Sequence, residues 1–202
     1  EVISDNQKKI NESQILKKLK LKKDNFFLVS SHREENIESS LFLNLIDSLN
    51  SLAEKYKLPL IISTHPRTRK KLKDEKLQVD SLLNFINPLG FSDYLKLQMN
   101  AKVVLSDSGT ITEESSIMQF NAINLREAHE RPEGMEEGSV IMSGLGKERI
   151  LQSIEILLNN ENQTKQPVLV GDYDVDNVSE KVARIIMSYT DYVRRNVWRE
   201  YN

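Results

Sequence analysis

The stretch that decides the fold runs Ala101-Lys102-Val103-Val104-Leu105-Ser106-Asp107-Ser108-Gly109-Thr110-Ile111-Thr112-Glu113-Glu114-Ser115-Ser116. Ala101 to Leu105 reads as a buried apolar strand. Small polar residues and one glycine follow, and the pattern then turns amphipathic through Ile117, Met118 and Phe120, which is the period of an α-helix. A strand that ends in such a turn and opens a helix is a ready-made anion site. The first N–H groups of the helix have no intrahelical partner, and the macrodipole places partial positive charge there. Gly109 lets the backbone approach a phosphate, and Ser108 and Thr110 add hydroxyls. Glu113 and Glu114 fall in the first turns, where a carboxylate accepts hydrogen bonds from a sugar. Phosphate and ribose together mean a nucleotide. Ordinary capping is the competing reading, because a serine or aspartate before a helix with acids in its first turn is common.

Working outward, Phe26 to Ser30, Leu60 to Ser63, Leu82 to Ile86 and Ala122 to Leu125 read as further short strands, with Ser139 to Met142 a sixth. Between them lie amphipathic patterns. Leu41 to Tyr56 carries Leu45, Ile46, Leu49, Leu52 and Ala53 on one face. Asn11 to Leu21, Arg67 to Lys76, Ser92 to Met99 (with Ser92 as cap), Thr112 to Phe120, Lys147 to Leu158 and Val178 to Tyr189 are also expected to be helical. Apolar strands alternating with amphipathic helices imply an α/β fold with a parallel sheet and helices on both faces. In such sheets ligands bind beyond the carboxyl ends of the strands. Three polar segments follow strands and project from that edge: Ser30 to Asn36, Ser63 to Arg67 and Ser106 to Glu114.

The three histidines, His32, His65 and His129, all sit in strand-end segments. His32 is followed by Arg33, a planar fork suited to phosphate oxygens. His65 precedes Pro66, which fixes a turn into a helix. Arg126 to Gly134 packs arginines, acids and His129 into one connection, where Arg131 is placed to meet a diphosphate. The histidine spacing fits no zinc site on one helix, and the chain has no cysteine, so a metal is not expected. Absence of cysteine also excludes disulfides and weakly favours a cytoplasmic setting. The net charge of −2 argues against a nucleic-acid surface. No apolar run reaches the roughly 20 residues a bilayer crossing needs, so no membrane partner is expected. Aromatics at Tyr189, Tyr192, Trp198 and Tyr201 mark a C-terminal segment that packs on this domain, a second domain or another subunit.

The segments SSHREEN, STHPR, SDSGTITEESS and REAHERPEGMEEG, in that order over His32 to Leu145, resemble the motifs of the non-hydrolysing UDP-N-acetylglucosamine 2-epimerases. The wording of the last two and the tail YTDYVRRNVW look most like the branch that makes UDP-N-acetyl-L-fucosamine. The resemblance implies a GT-B-like fold of two Rossmann-like domains. Residues 1–202 would be the C-terminal, nucleotide-binding one, with C-terminal helices over 176–202 and the N-terminal domain absent. It implies a UDP-sugar substrate whose C2 is inverted by elimination and re-addition of UDP, for surface polysaccharide precursors. It implies no cofactor, and a homodimer when full length. His32 would be catalytic, beside the diphosphate. Ser108, Gly109, Thr110, Glu114 and Arg131 would bind UDP, with Arg33, His65 and His129 lining the site. The isolated domain is expected to be inactive, because the carboxylates that move the C2 proton belong to the other domain. Many family members carry two glycines where this chain has Gly109-Thr110, so the phosphate contact differs in detail. A GT-B glycosyltransferase domain and a non-catalytic UDP-sugar-binding regulatory module remain as alternatives.

Overall fold

Six short strands lie side by side, all parallel, in the order β3-β2-β1-β4-β5-β6. They are β1 (Phe27–Ser30), β2 (Leu60–Ser63), β3 (Leu83–Ile86), β4 (Val103–Ser106), β5 (Ala122–Asn124) and β6 (Ile141–Met142). The computed structural model describes residues 1–31, 41–64, 77–128, 131–159 and 168–200. Among them the helices are α1 (Val2–Glu12), α2 (Ile15–Lys18), α3 (Leu41–Tyr56), α4 (Phe91–Gln98), α5 (Ile111–Met118), α6 (Pro132–Glu136), α7 (Lys147–Leu158) and α8 (Val178–Val193).

Strand side chains alternate between faces, and two cores result. Phe27, Val29, Leu60, Ile62, Val103 and Leu105 meet Leu45, Leu49 and Leu52 of α3 and Ile150 and Ile154 of α7. On the other face Phe26, Leu28, Ile61 and Val104 meet Ile15 of α2, Leu97 of α4 and Ile111 of α5. Helices therefore cover both faces, as the alternation implied. Central strands buried on both sides must be apolar at every position, which is why FFLV and LII read as continuous runs.

Two expectations need correction. The single helix over Asn11 to Leu21 is two pieces, α1 and the one-turn α2, broken at Ser13. The Ser13 hydroxyl donates to Asp93 Oδ1 at 2.5 Å, which pins the break to α4. The polar α1 packs on the domain through Ile10, which is wholly buried. Ser92 does not cap α4: Gly90 is the N-cap, with no side-chain cap, and Ser92 lies inside the helix. The helix expected over Arg67 to Lys76 falls outside the described residues. Among the described residues no helix is long and apolar enough to cross a membrane.

Candidate nucleotide site

The register aligns one row of polar residues at the carboxyl edge. Ser63 pairs with Ser30, Ser30 with Ser106, and Ser106 with Asn124. All are buried, so each needs a partner. Ser106 Oγ accepts the Ser108 N–H at 3.1 Å, which turns the chain off β4. The Asp107 N–H donates to the Ser30 carbonyl at 3.1 Å. The Ser31 hydroxyl donates to Asp107 Oδ2 at 3.0 Å. These bonds tie the loop after β4 to the end of β1.

The N-cap of α5 is Thr110, with φ −68° and ψ −12°, and its own side chain makes no cap bond. Ser108 Oγ does accept the Thr110 N–H, at 3.4 Å, so the serine-capping reading of this run stands beside the anion-site reading. The Thr110 hydroxyl donates to Glu114 Oε1 at 3.0 Å and hydrogen-bonds Ser108 Oγ at 3.0 Å. The other carboxylate oxygen of Glu114 accepts Gln98 Nε2 at 2.6 Å. Burial raises the Glu114 pKa above the usual carboxylate value, and the bonds from Gln98 and Thr110 oppose it. Tyr94, on α4, is hydrogen-bonded by Ser30 and Gln98. Burial is the main cause that pushes its hydroxyl up to about 12, so it stays neutral.

A second connection closes on α5. Arg131 Nε donates to Glu113 Oε1 at 2.6 Å. Pro132 starts α6 at its first turn, where a missing N–H costs nothing. Gly134 is the close-approach residue: a Cβ there would stand 2.1 Å from Thr112 Cγ2. The Tyr173 hydroxyl donates to Glu133 Oε1 at 2.7 Å and holds the far side of α6. Burial, then that bond to Glu133, raises the Tyr173 pKa.

Residues 1–187 match the family described as UDP-N-acetylglucosamine 2-epimerase. The chain belongs to that family. A UDP-N-acetylglucosamine 2-epimerase from Methanocaldococcus jannaschii is 35% identical over 168 residues, 81% of this chain and 44% of that protein. Among solved structures, a UDP-N-acetylglucosamine 2-epimerase from Rickettsia bellii has a TM-score of 0.83 and 44% identity, covering 98% of this chain and 54% of that one. The M. jannaschii epimerase in complex with UDP-GlcNAc and UDP has a TM-score of 0.72 and 31% identity, over 91% of this chain and 51% of that one. The chain spans about half the length of these relatives. Its parallel sheet with helices on both faces matches these GT-B-like neighbours.

Of the residues read from sequence, Ser108, Gly109, Thr110 and Glu114 share one loop and the first turn of α5. Arg131 is brought to that same helix by its pairing with Glu113. His32, Arg33, His65 and His129 lie outside the described residues. Sequence reasoning missed Gln98, Tyr94 and Tyr173, while Ser31 lay in the Ser30 to Asn36 segment it had marked. Gln98 alone carried a signal, a polar residue falling on the apolar face of a helix beside Leu95 and Leu97. The candidate site is thus a hydrogen-bonded network across β1, β4, α4 and α5, not a single motif.

Proposed function

We propose that this chain is the C-terminal, UDP-binding domain of a UDP-N-acetylhexosamine 2-epimerase. The observation that carries the reading is the start of α5 at the carboxyl edge, where Ser108, Thr110 and the half-buried Glu114 are gathered by hydrogen bonds. Membership of the epimerase family supports it, as does a relative solved with UDP-GlcNAc and UDP. In this reading Ser108, Gly109 and Thr110 hold phosphate at the helix N-terminus. Glu114 receives the ribose hydroxyls, and Arg131 reaches the diphosphate. His32 is catalytic and assists departure of UDP; Arg33, His65 and His129 line the site.

Breaking the bond to a diphosphate needs donors and positive charge aimed at its oxygens. Loss of the C2 proton and elimination of UDP leave a glycal-like intermediate. Re-addition of UDP after protonation on the opposite face inverts C2. The groups that move the C2 proton belong to an N-terminal domain, and the greater length of the relatives supports such a partner. We assign the full-length protein to the cytoplasm, as a homodimer, in the UDP-N-acetyl-L-fucosamine branch of polysaccharide precursor synthesis.

Calorimetric titration of the chain with UDP, with ADP as control, tests the nucleotide reading. UDP binds and ADP does not. Glu114→Ala weakens UDP by about 1–3 kcal/mol, through loss of a charged acceptor. Equal affinity in that variant removes Glu114 from the site. In the full-length enzyme His32→Ala lowers turnover more than substrate affinity, and a loss of affinity alone makes His32 an anchor.

A further inference from the structure

We propose that Gln98 is a positioning residue of this site: with Thr110 it clamps the Glu114 carboxylate, one donor on each oxygen, in the orientation that receives ribose hydroxyls. The proposal rests on the nucleotide reading of the Ser106 to Glu114 segment.

Gln98 ends α4 and is 1% exposed. A buried amide costs free energy unless both its ends are hydrogen-bonded. Gln98 Nε2 donates to Glu114 Oε2 at 2.6 Å, but Gln98 Oε1 is buried without a partner. The unpaired oxygen is a cost that the bonds to Glu114 and Tyr94 offset. A methionine would fill the same length without the unpaired oxygen. What the amide does achieve is directional: its N–H holds the carboxylate of a neighbouring helix. Thr110 works from the opposite side, donating to Oε1 at 3.0 Å while it also bonds Ser108 Oγ. One hydroxyl thus couples the phosphate loop to the ribose-binding acid. Where family members place a second glycine, no side chain would make this link.

The clamp opposes an unfavourable setting. Glu113 lies beside Glu114 on α5 and its charge raises the Glu114 pKa. Tyr94 faces it from α4, and Asp107, in the loop after β4, stands within electrostatic reach of Tyr94. These neighbours are acids or neutral. Gln98 and Thr110 are the groups that favour the charged form against burial. Charge at Glu114 matters because an ionised acceptor binds hydroxyls more strongly than a neutral one.

The experiment is a carbon-detected NMR titration of Glu114 in the unliganded chain, paired with UDP calorimetry across pH. Gln98→Met and Thr110→Val each remove one donor; Thr110 is exposed, so the second variant folds even where the first does not. Both variants titrate Glu114 at higher pH than the parent. Both bind UDP about tenfold more weakly at neutral pH, and the pH at which affinity falls off moves up. An unmoved Glu114 titration, or a Gln98→Met chain that binds UDP like the parent with the same pH profile, overturns the clamp alone. A parent chain that binds no UDP sinks the nucleotide reading and takes this role with it.

Discussion

Glu114 carries a stability cost that the proposed ribose contact would explain. Its folded-state pKa is raised, chiefly by burial. Between the unfolded and folded values the native state holds more proton than the unfolded one, so stability falls as pH rises through that window. Above the folded value the whole penalty remains. Glu114→Gln keeps the shape and removes the charge. We expect it to raise stability at neutral pH, to flatten the pH dependence just above the usual carboxylate range, and to weaken UDP. Chemical denaturation at several pH values checks the first two. Gly134 makes a different demand. Its missing Cβ allows α6 to lie against Thr112 of α5. Gly134→Ala overpacks that contact and costs about 1–3 kcal/mol. Thr112→Ser removes the methyl it strikes and restores part of the loss, which a double-mutant cycle measures.

At the scale of elements, the site is a product of crossover geometry. β1 sits between β2 and β4, so the carboxyl ends of β1 and β4 lie side by side. Asp107 and Ser31 meet there, although they lie far apart in sequence. α4 precedes β4 and α5 follows it, and both pack on the same face through Leu97 and Ile111. That shared face is what lets Gln98 reach Glu114. On the opposite face α7 anchors through Ile150 and Ile154, each wholly buried against α3 and the sheet. Ile154→Ala costs about 2–5 kcal/mol in urea unfolding. It leaves UDP affinity unchanged while the chain is folded, because α7 lies across the sheet from the Glu114 network.

At the scale of the whole molecule, α8 stands apart. None of its residues is buried, and Val182, Ile185, Ile186, Tyr189 and Tyr192 of α8 with Trp198 beyond it are all more than 45% exposed. The Ser179 N–H and hydroxyl donate to the Glu1 carboxylate and tie α8 to the start of the chain. A helix with so apolar a stripe in water adds nothing to this core. Deleting residues 178–202 should leave the melting temperature within about 2 °C of the parent, since surface changes cost under roughly 0.5 kcal/mol. A large drop would show that α8 is docked in solution. Val170, by contrast, is 2% exposed, and its N–H donates to Ser116 Oγ at 2.8 Å, so a cut before it should destabilise α5.

The sequence alone determined the elements. α3, β2 and α7 begin and end where their apolar periods do, because local burial patterns and turn residues set such limits. It also marked the loop after β4, on which Ser108 and Thr110 meet Glu114. Boundaries strayed where a distant partner intervened: Ser13 breaks a helical run because Asp93 holds it. Partnerships were decided by tertiary structure alone. Nothing local announces that Gln98 faces Glu114, that Arg131 reaches Glu113, or that Tyr173 holds Glu133. Each pairing depends on strand order and on which face a helix covers. A short polar side chain carries no sequence mark of the partner that the crossover will bring beside it.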